Sequence, residues 1–150
     1  MKQQIILVGF KRVGKTHIGR QLAARLKRKF IDADQGISLF HLIENLVKSN
    51  SYVISLCDHE ALDIRNQEII KSSLVIHVTA ASGTVFERIM MGGRPAFLHP
   101  DSDVLDEFLH LWNKRDPFYR ELASYTVDNN HTLEDAVNQA IGHLQSAIAV

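Results

Sequence analysis

Short apolar runs alternate along this chain with longer stretches in which apolar residues recur every three or four positions. Four runs have the nearly continuous apolar character of parallel strands that are covered on both faces, and a fifth is weaker. These runs are residues 5–8, 30–31, 52–56 and 74–78, with 125–127 as the weaker one. Because helical patterns separate them, the chain is predicted to form a three-layer α/β domain with a parallel sheet and ligands at the carboxyl ends of the strands.

Three stretches show helical spacing of apolar residues. Ile18, Leu22 and Leu26 mark the first helix. The last helix is marked by a longer stripe: Leu133, Ala136, Val137, Ala140, Ile141 and Leu144. Residues 36–48 form a third helical pattern that is apolar on more than one side. Such a helix is either packed onto the sheet as a shortened lobe or used as a contact in a homodimer.

Residues 9–16 read Gly-Phe-Lys-Arg-Val-Gly-Lys-Thr and lie between the first predicted strand and the first predicted helix. The spacing G-x-x-x-x-G-K-T is that of a phosphate-binding loop, in which backbone N–H groups and a helix N-terminus attract a polyphosphate. Gly9 and Gly14 fit places where a side chain would collide with the turn or with the phosphates. Lys15 is placed to reach the terminal phosphates, and the Thr16 hydroxyl is a hard ligand suited to Mg²⁺. The loop therefore predicts binding of a nucleoside triphosphate with Mg²⁺, and its context disfavours the alternative of a plain turn before a basic helix.

The second predicted strand runs into two carboxylates, Asp32 and Asp34, one residue apart. At the ligand edge of a sheet, one carboxylate can hold a metal-bound water while the other orients or deprotonates an acceptor hydroxyl. Alternatively, the pair is only a polar strand end, or Asp34 caps the helix that follows. The neighbouring phosphate loop favours the functional interpretation.

Composition restricts the class of protein. The 17 basic and 17 acidic residues cancel, so long-range attraction to nucleic acid or to an anionic membrane is not indicated. Cys57 is the only cysteine, which excludes an internal disulfide. No apolar run approaches the ~20 residues of a membrane span. We expect one domain over residues 1–150, located in the cytoplasm.

Four segments, in order along the chain, carry a resemblance to a known family. They are the loop at 9–16, Phe-Ile-Asp-x-Asp at 30–34, Gly-Gly-Arg-Pro at 92–95, and Lys-Arg-Asp-Pro-Phe-Tyr-Arg-Glu-Leu-Ala at 114–123. Together they resemble the shikimate kinase family over residues 4–34 and 74–145. The resemblance implies a five-stranded parallel core and a kinase that uses ATP and Mg²⁺ to phosphorylate a small-molecule acceptor.

The resemblance also implies roles for individual residues. Asp32 is expected near Mg²⁺, Asp34 on the accepting hydroxyl and Arg88 beside the adenine. Arg94 is expected on a mobile lid of residues 92–102 that has Gly92 and Gly93 as its hinge. Closure of this lid would bring Arg94 to the transferring phosphate. Arg115 is expected on the carboxylate of the acceptor, which its planar guanidinium fits.

Motifs and resemblance together define the predicted site. The predicted catalytic residues are Lys15, Asp34 and Arg94. The predicted nucleotide-binding residues are Gly9, Lys11, Arg12, Val13, Gly14, Lys15, Thr16, His17 and Arg88. The predicted acceptor-binding residues are Asp34, Arg115 and Asp58, and the predicted metal-binding residues are Thr16 and Asp32.

The acceptor half departs from the family pattern. The family carries a longer segment before its third strand, with a Phe-Arg pair whose arginine meets the shikimate carboxylate, whereas residues 35–51 here contain no arginine. Three glycines that follow the family's third strand are replaced by Cys57, Asp58 and His59. Asp58 is placed to act in the outer shell of magnesium, or it simply caps the next helix. Position 12, commonly glycine in the family, is arginine.

Three functions fit these observations. The first is a kinase that transfers the γ-phosphoryl of MgATP to a hydroxyl of a small carboxylated metabolite. The second is a catalytically degenerate nucleotide-binding protein that acts as a regulatory or interaction module through helix 36–48. The third is a kinase for a different sugar acid or for a nucleotide. The intact phosphate loop, Asp32, Asp34, Arg94 and Arg115 favour an enzyme, and the altered acceptor segment favours the other two.

Overall fold

The computed structural model describes residues 4–33, 52–56, 61, 63, 66–99, 101 and 103–148. Within these residues the strands are β1 (Ile5–Val8), β2 (Lys29–Asp32), β3 (Tyr52–Ser55), β4 (Leu74–Thr79) and β5 (Tyr125–Asp128). The helices described are α1 (Lys15–Leu26), α2 (Gln67–Lys71), α3 (Ser82–Met90), α4 (Val104–Leu122) and α5 (Leu133–Ile148). None of these helices combines the length and the apolar character needed to cross a lipid bilayer.

The strands form one five-stranded sheet in the order β2-β3-β1-β4-β5. All four pairings are parallel, which confirms the predicted fold class. The ends of every predicted strand lie within one residue of those observed. The chain leaves the central strand β1 toward β2 and β3 on one side and later toward β4 and β5 on the other. Ligands bind in the crevice beyond the carboxyl ends of strands at such a reversal.

Both faces of β1 are covered, which explains its uninterrupted apolar sequence. Side chains alternate between the two faces of a strand. Ile5 and Leu7 belong to one core cluster with residues of α1, α3 and α5, while Ile6 and Val8 belong to a second cluster on the opposite face. All four side chains are fully buried. Burial on both faces fixes β1 in the middle of the sheet and so fixes where its carboxyl end lies.

The apolar stripes of the first and last helices face the core largely as predicted. Ile18 and Leu22 of α1 are fully buried, and the buried face of α5 is formed by Ala136, Val137, Ala140 and Leu144. Leu133 was predicted on the same face, but it is 38% exposed. The reason is its place at the start of α5, where it lines a cleft at the ligand edge of the sheet.

A buried polar cluster joins α4 to β4. His77 in β4 is fully buried, and its Nε2 lies 3.0 Å from Oδ1 of Asp116. The ring N–H is poorly aligned with that oxygen, so the contact is mainly electrostatic. Thr79 donates its hydroxyl to the same oxygen at 2.8 Å. Pro117, which follows Asp116, has no N–H to donate within α4, so these contacts to β4 help to hold that turn of the helix.

The Asp116 carboxyl should make the free energy of unfolding depend on pH in the acidic range. Burial by itself raises the pKa of its carboxyl, but the contact with His77, the hydrogen bond from Thr79 and the charge of Arg120 together outweigh burial, so the pKa lies below its usual range. A carboxyl with a lowered folded-state pKa stabilises the fold above its unfolded pKa of about 3.9, and this contribution disappears as pH falls through the folded pKa. Asp116→Asn should therefore be less stable than the wild type at pH 7, and this difference should shrink as pH falls through the folded-state pKa.

Urea unfolding of both proteins between pH 7 and pH 2.5 measures this difference. Asp101→Asn, an exposed aspartate, is the matched control and should follow the wild type at every pH. A constant gap between Asp116→Asn and the wild type across this range would contradict the assignment.

Candidate active site

The loop after β1 turns tightly against the neighbouring strand and against the loop that follows β5. A Cβ atom added to Gly9 would lie 2.4 Å from the carbonyl oxygen of Val78, so no side chain fits there. Gly14 has a φ of 104°, which disfavours other residues, and a Cβ atom there would lie 2.4 Å from Nδ2 of Asn129. Backbone packing therefore requires the glycine at position 9, and backbone conformation favours the glycine at position 14, independently of any bound phosphate.

Lys15 lies at the floor of this loop. It is only 6% exposed, and its Nζ donates a hydrogen bond of 2.5 Å to the carbonyl oxygen of Gly9. Lys15 is also the first residue of α1, and the preceding Gly14 offers no side chain to cap the helix. An N-terminus without a side-chain cap can present its first N–H groups to an anion. The loop thus combines a held ammonium group with a helix N-terminus, as the motif predicted.

Thr16 and Asp32 form the predicted metal pair. The Thr16 hydroxyl donates a hydrogen bond of 3.3 Å to Oδ2 of Asp32, which ends β2. A hydroxyl and a carboxylate are oxygen ligands of the kind that Mg²⁺ takes alongside waters and phosphate oxygens. No cluster of three or more His, Cys, Asp or Glu side chains suited to a metal occurs in the described part of the chain. The pair therefore fits a magnesium ion that keeps most of its ligands from water and nucleotide.

A cleft of about 1110 Å³ opens above the loop. Seven of its lining residues belong to the predicted nucleotide site: Lys11, Arg12, Gly14, Lys15, Thr16, His17 and Arg88. Arg88 of α3 also donates a hydrogen bond of 3.1 Å to the carbonyl oxygen of Arg12, which ties α3 to the loop. Val13, by contrast, buries its side chain in the core, so only its backbone faces this region.

Sequence reasoning missed the part of this cleft that follows β5. Asn129 donates from its side-chain Nδ2 to the carbonyl oxygen of Val13 at 2.8 Å and so fastens the β5–α5 loop to the phosphate loop. His131 and Leu133, together with Met91 at the end of α3, line the same cleft. A signal was present, because the polar run 128–132 leaves a strand at the ligand edge just as Asp32 does.

The predicted lid is described as far as residue 99, with residues 101 and 103 beyond it. Gly93 has a φ of 87°, which fits the predicted glycine hinge. A second cavity of about 330 Å³ is lined by Lys11 and Arg12 of the loop and by residues 92, 93 and 95–97. Arg94 is exposed, lines neither of these two cavities, and donates a hydrogen bond to the carbonyl oxygen of His99 in its own segment. The structure therefore does not bring Arg94 together with the rest of the predicted site.

An aromatic cluster links the loop, the lid and α4. Phe10 of the loop is fully buried, and its ring centroid lies 6.4 Å from that of Phe97 and 5.4 Å from that of Trp112. The guanidinium carbon of Arg115 lies 5.9 Å from the centroid of Phe10. On the lid side, Nζ of Lys11 lies 4.6 Å from the Phe97 centroid. Arg115 is thus placed beside the phosphate loop, a contact that no sequence motif indicated.

Comparison with known proteins identifies the family. The family model described as "Shikimate kinase" matches residues 12–41 and 38–145. The chain belongs to the shikimate kinase family. A shikimate kinase of Stenotrophomonas maltophilia strain K279a is 30% identical over 88% of this chain and 86% of that protein. One from Neisseria meningitidis serogroup C is 29% identical over 87% of this chain and 90% of that protein.

Solved structures agree with this assignment at the level of the fold. A shikimate kinase from Acinetobacter baumannii in complex with shikimate superposes with a TM-score of 0.73 at 24% identity, covering 98% of this chain and 93% of that one. A gluconokinase from Sinorhizobium meliloti gives a TM-score of 0.61 at 17% identity, with 97% and 93% covered. The family membership supports an ATP-dependent, shikimate kinase-like kinase.

The acceptor side of this family member is only partly described. Asp34 and Asp58, both predicted to bind the acceptor, lie outside the described residues, as do Cys57, His59 and helix 36–48. Arg115 is the described residue of that predicted set, and it lies against the loop as reported above. The structure therefore assembles the nucleotide half of the predicted site and anchors one acceptor residue to it.

Proposed function

We propose that this chain transfers the γ-phosphoryl group of MgATP to a hydroxyl group of a small carboxylated metabolite. The observation that carries the proposal is that the buried Lys15 and the neighbouring Thr16 line one cleft, and that the Thr16 hydroxyl is hydrogen-bonded to the carboxylate of Asp32. Phosphoryl transfer requires mainly positioning and stabilisation of charge on the phosphate oxygens. The phosphate loop would supply the positioning, and the Lys15 ammonium group, fixed by its hydrogen bond to Gly9, would supply the charge stabilisation.

The residues of the nucleotide half have distinct proposed tasks. Lys15 binds the terminal phosphates, and Thr16 and Asp32 would hold Mg²⁺ through their oxygens. When bound, Mg²⁺ neutralises charge on the phosphate oxygens. Arg88, whose guanidinium is fixed to the loop, is proposed to lie beside the adenine.

The acceptor half depends on three further residues. Arg94 follows the glycine hinge, so it would reach the transferring phosphate only when the lid closes over the cleft. Asp34 is proposed to orient or deprotonate the acceptor hydroxyl. Arg115 is proposed to bind the acceptor's carboxylate, because a planar guanidinium can donate two parallel hydrogen bonds to it.

Nucleotide binding should depend on Lys15 and on magnesium. Lys15→Ala removes a charged contact worth roughly 1.5–3 kcal/mol, so calorimetry should show MgATP affinity reduced by about 10- to 150-fold. Omitting Mg²⁺ should weaken binding by the wild type as well. Lys71→Ala, an exposed lysine outside the cleft lining, is the control and should keep wild-type affinity. Equal affinity of Lys15→Ala and wild type would exclude this loop as the nucleotide site.

Shikimate is the first acceptor to test, and we expect it to be a poor one. Residues 35–51 lack the arginine with which the family binds the shikimate carboxylate, and the loss of one charged partner costs roughly 1.5–3 kcal/mol. Side chains at positions 57–59 replace glycines where backbone should approach the ring. A coupled assay with saturating MgATP and millimolar shikimate should show turnover well below the usual kinase range of about 1–100 per second.

A panel of other hydroxylated acids in the same assay separates the remaining functions. Faster turnover of a different sugar acid would identify a changed acceptor. Turnover of shikimate at ordinary kinase rates would show that the sequence changes at residues 35–51 and 57–59 do not impair phosphorylation of shikimate. Intact MgATP binding with no turnover of any acid would favour the catalytically degenerate binding module.

Arg115→Ala should separate acceptor binding from nucleotide binding. With the best acid of the panel, the loss of a charged hydrogen bond should raise the acceptor KM by about 10- to 150-fold while MgATP affinity stays within about threefold of wild type. Lys114→Ala changes the neighbouring exposed charge on the same helix and should leave both values unchanged. An unchanged acceptor KM in Arg115→Ala would place the carboxylate site elsewhere.

A further inference from the structure

Arg12 occupies a backbone conformation that suits glycine better than arginine. Its φ is 66°, in the left-handed region. Lys27 is the other non-glycine residue with positive φ in the described part of the chain, and it caps the end of α1, where this conformation is usual. Arg12 instead lies in the phosphate loop. A long side chain kept at such a position points to a function for that side chain.

The surroundings of Arg12 indicate what it could bind. It is exposed, and it lines both the nucleotide cleft and the smaller cavity under residues 92–97. Its carbonyl oxygen is held by Arg88 at 3.1 Å, which fixes the backbone from which the side chain extends. Within the described residues its guanidinium has no hydrogen-bond or ion-pair partner. The guanidinium of Arg94, the arginine predicted for the transferring phosphate, donates instead to a carbonyl of its own segment.

Lys11, Arg12 and Gly92 line both cavities. Of the two cations, Lys11 lies over the Phe97 ring, so Arg12 is the one whose charged group has no such partner among the described residues. In a kinase with a closing lid, the lid covers the transferring terminal phosphate, so this phosphate lies on the lid side of the loop. A guanidinium binds phosphate oxygens through two parallel charge-assisted hydrogen bonds, which a lysine cannot reproduce.

We propose that the Arg12 guanidinium binds the γ-phosphate and is the residue by which this chain distinguishes a nucleoside triphosphate from a diphosphate. The proposal rests on the proposed nucleotide-binding function and adds a named contact to it. In this proposal, the buried Lys15 binds the phosphates from inside the loop, and the exposed Arg12 binds the γ-phosphate from the outer side of the loop.

Calorimetry with two probes tests the proposal, the non-hydrolysable triphosphate analogue AMP-PNP and ADP, each with Mg²⁺. Arg12→Gly should bind MgAMP-PNP about 10- to 150-fold more weakly while MgADP affinity changes by less than about threefold. Arg12→Lys keeps the charge without the planar group and should lose part of the discrimination. Arg20→Ala removes an exposed arginine of α1 that lines neither cavity, and both affinities should match the wild type.

A fourth variant separates the guanidinium from the backbone strain. Arg12→Ala also lacks the guanidinium but keeps a Cβ at positive φ, so it should lose discrimination as fully as Arg12→Gly while unfolding at a lower temperature. Loss of discrimination in only one of the two would assign the effect to the backbone and overturn the proposal. An equal fall in affinity for both nucleotides would show a general charge effect and would also overturn it. Wild-type protein that binds neither nucleotide would instead refute the proposed function on which the inference rests.

Discussion

The hydrogen bond from Lys15 to the carbonyl oxygen of Gly9 closes the phosphate loop on itself, and the rest of the site depends on that closure. The Gly9 carbonyl is held in place for this hydrogen bond because the Gly9 backbone packs against the carbonyl oxygen of Val78 in β4. That packing in turn depends on the parallel pairing of β1 with β4, which sets Val8 beside His77. A closed loop has already lost the conformational freedom that phosphate binding would otherwise remove, which is the advantage of preorganisation.

Charge in this protein is arranged locally rather than overall. The chain has a formal net charge of zero, yet Lys11, Arg12, Lys15 and Arg88 all line one cleft. A cleft lined by one sign of charge focuses the field on a small anion, whereas a neutral whole gives little long-range attraction to a polyanion. This distribution matches a compact polyphosphate better than a nucleic acid backbone. It also explains why the zero net charge argued against binding of nucleic acid but gave no information about binding of a nucleotide.

Sequence reasoning succeeded where the signal was local. The strands, the phosphate loop and the Thr16–Asp32 neighbourhood follow from runs, spacing and strand ends, because a parallel sheet brings its carboxyl ends together. Contacts between segments distant in sequence could not be predicted in this way. Nothing in the spacing indicates that Asn129 fastens to Val13, or that Asp116 lies beside His77. Both contacts depend on how whole helices and strands are oriented, which the spacing of residues along the chain does not reveal.

Phe10 connects the two halves of the proposed reaction. Its backbone belongs to the phosphate loop, while its ring contacts Trp112 of α4 and lies under the guanidinium of Arg115. Under the proposed function, this contact places the carboxylate-binding side chain of Arg115 beside the phosphate loop. An acceptor must then present its hydroxyl at a fixed separation from its carboxylate, since a displacement of about 1 Å can cost a hundredfold in rate. Under the same proposal, the sequence changes at residues 35–51 and 57–59 would alter which carbon skeleton fits between the carboxylate and the phosphate loop.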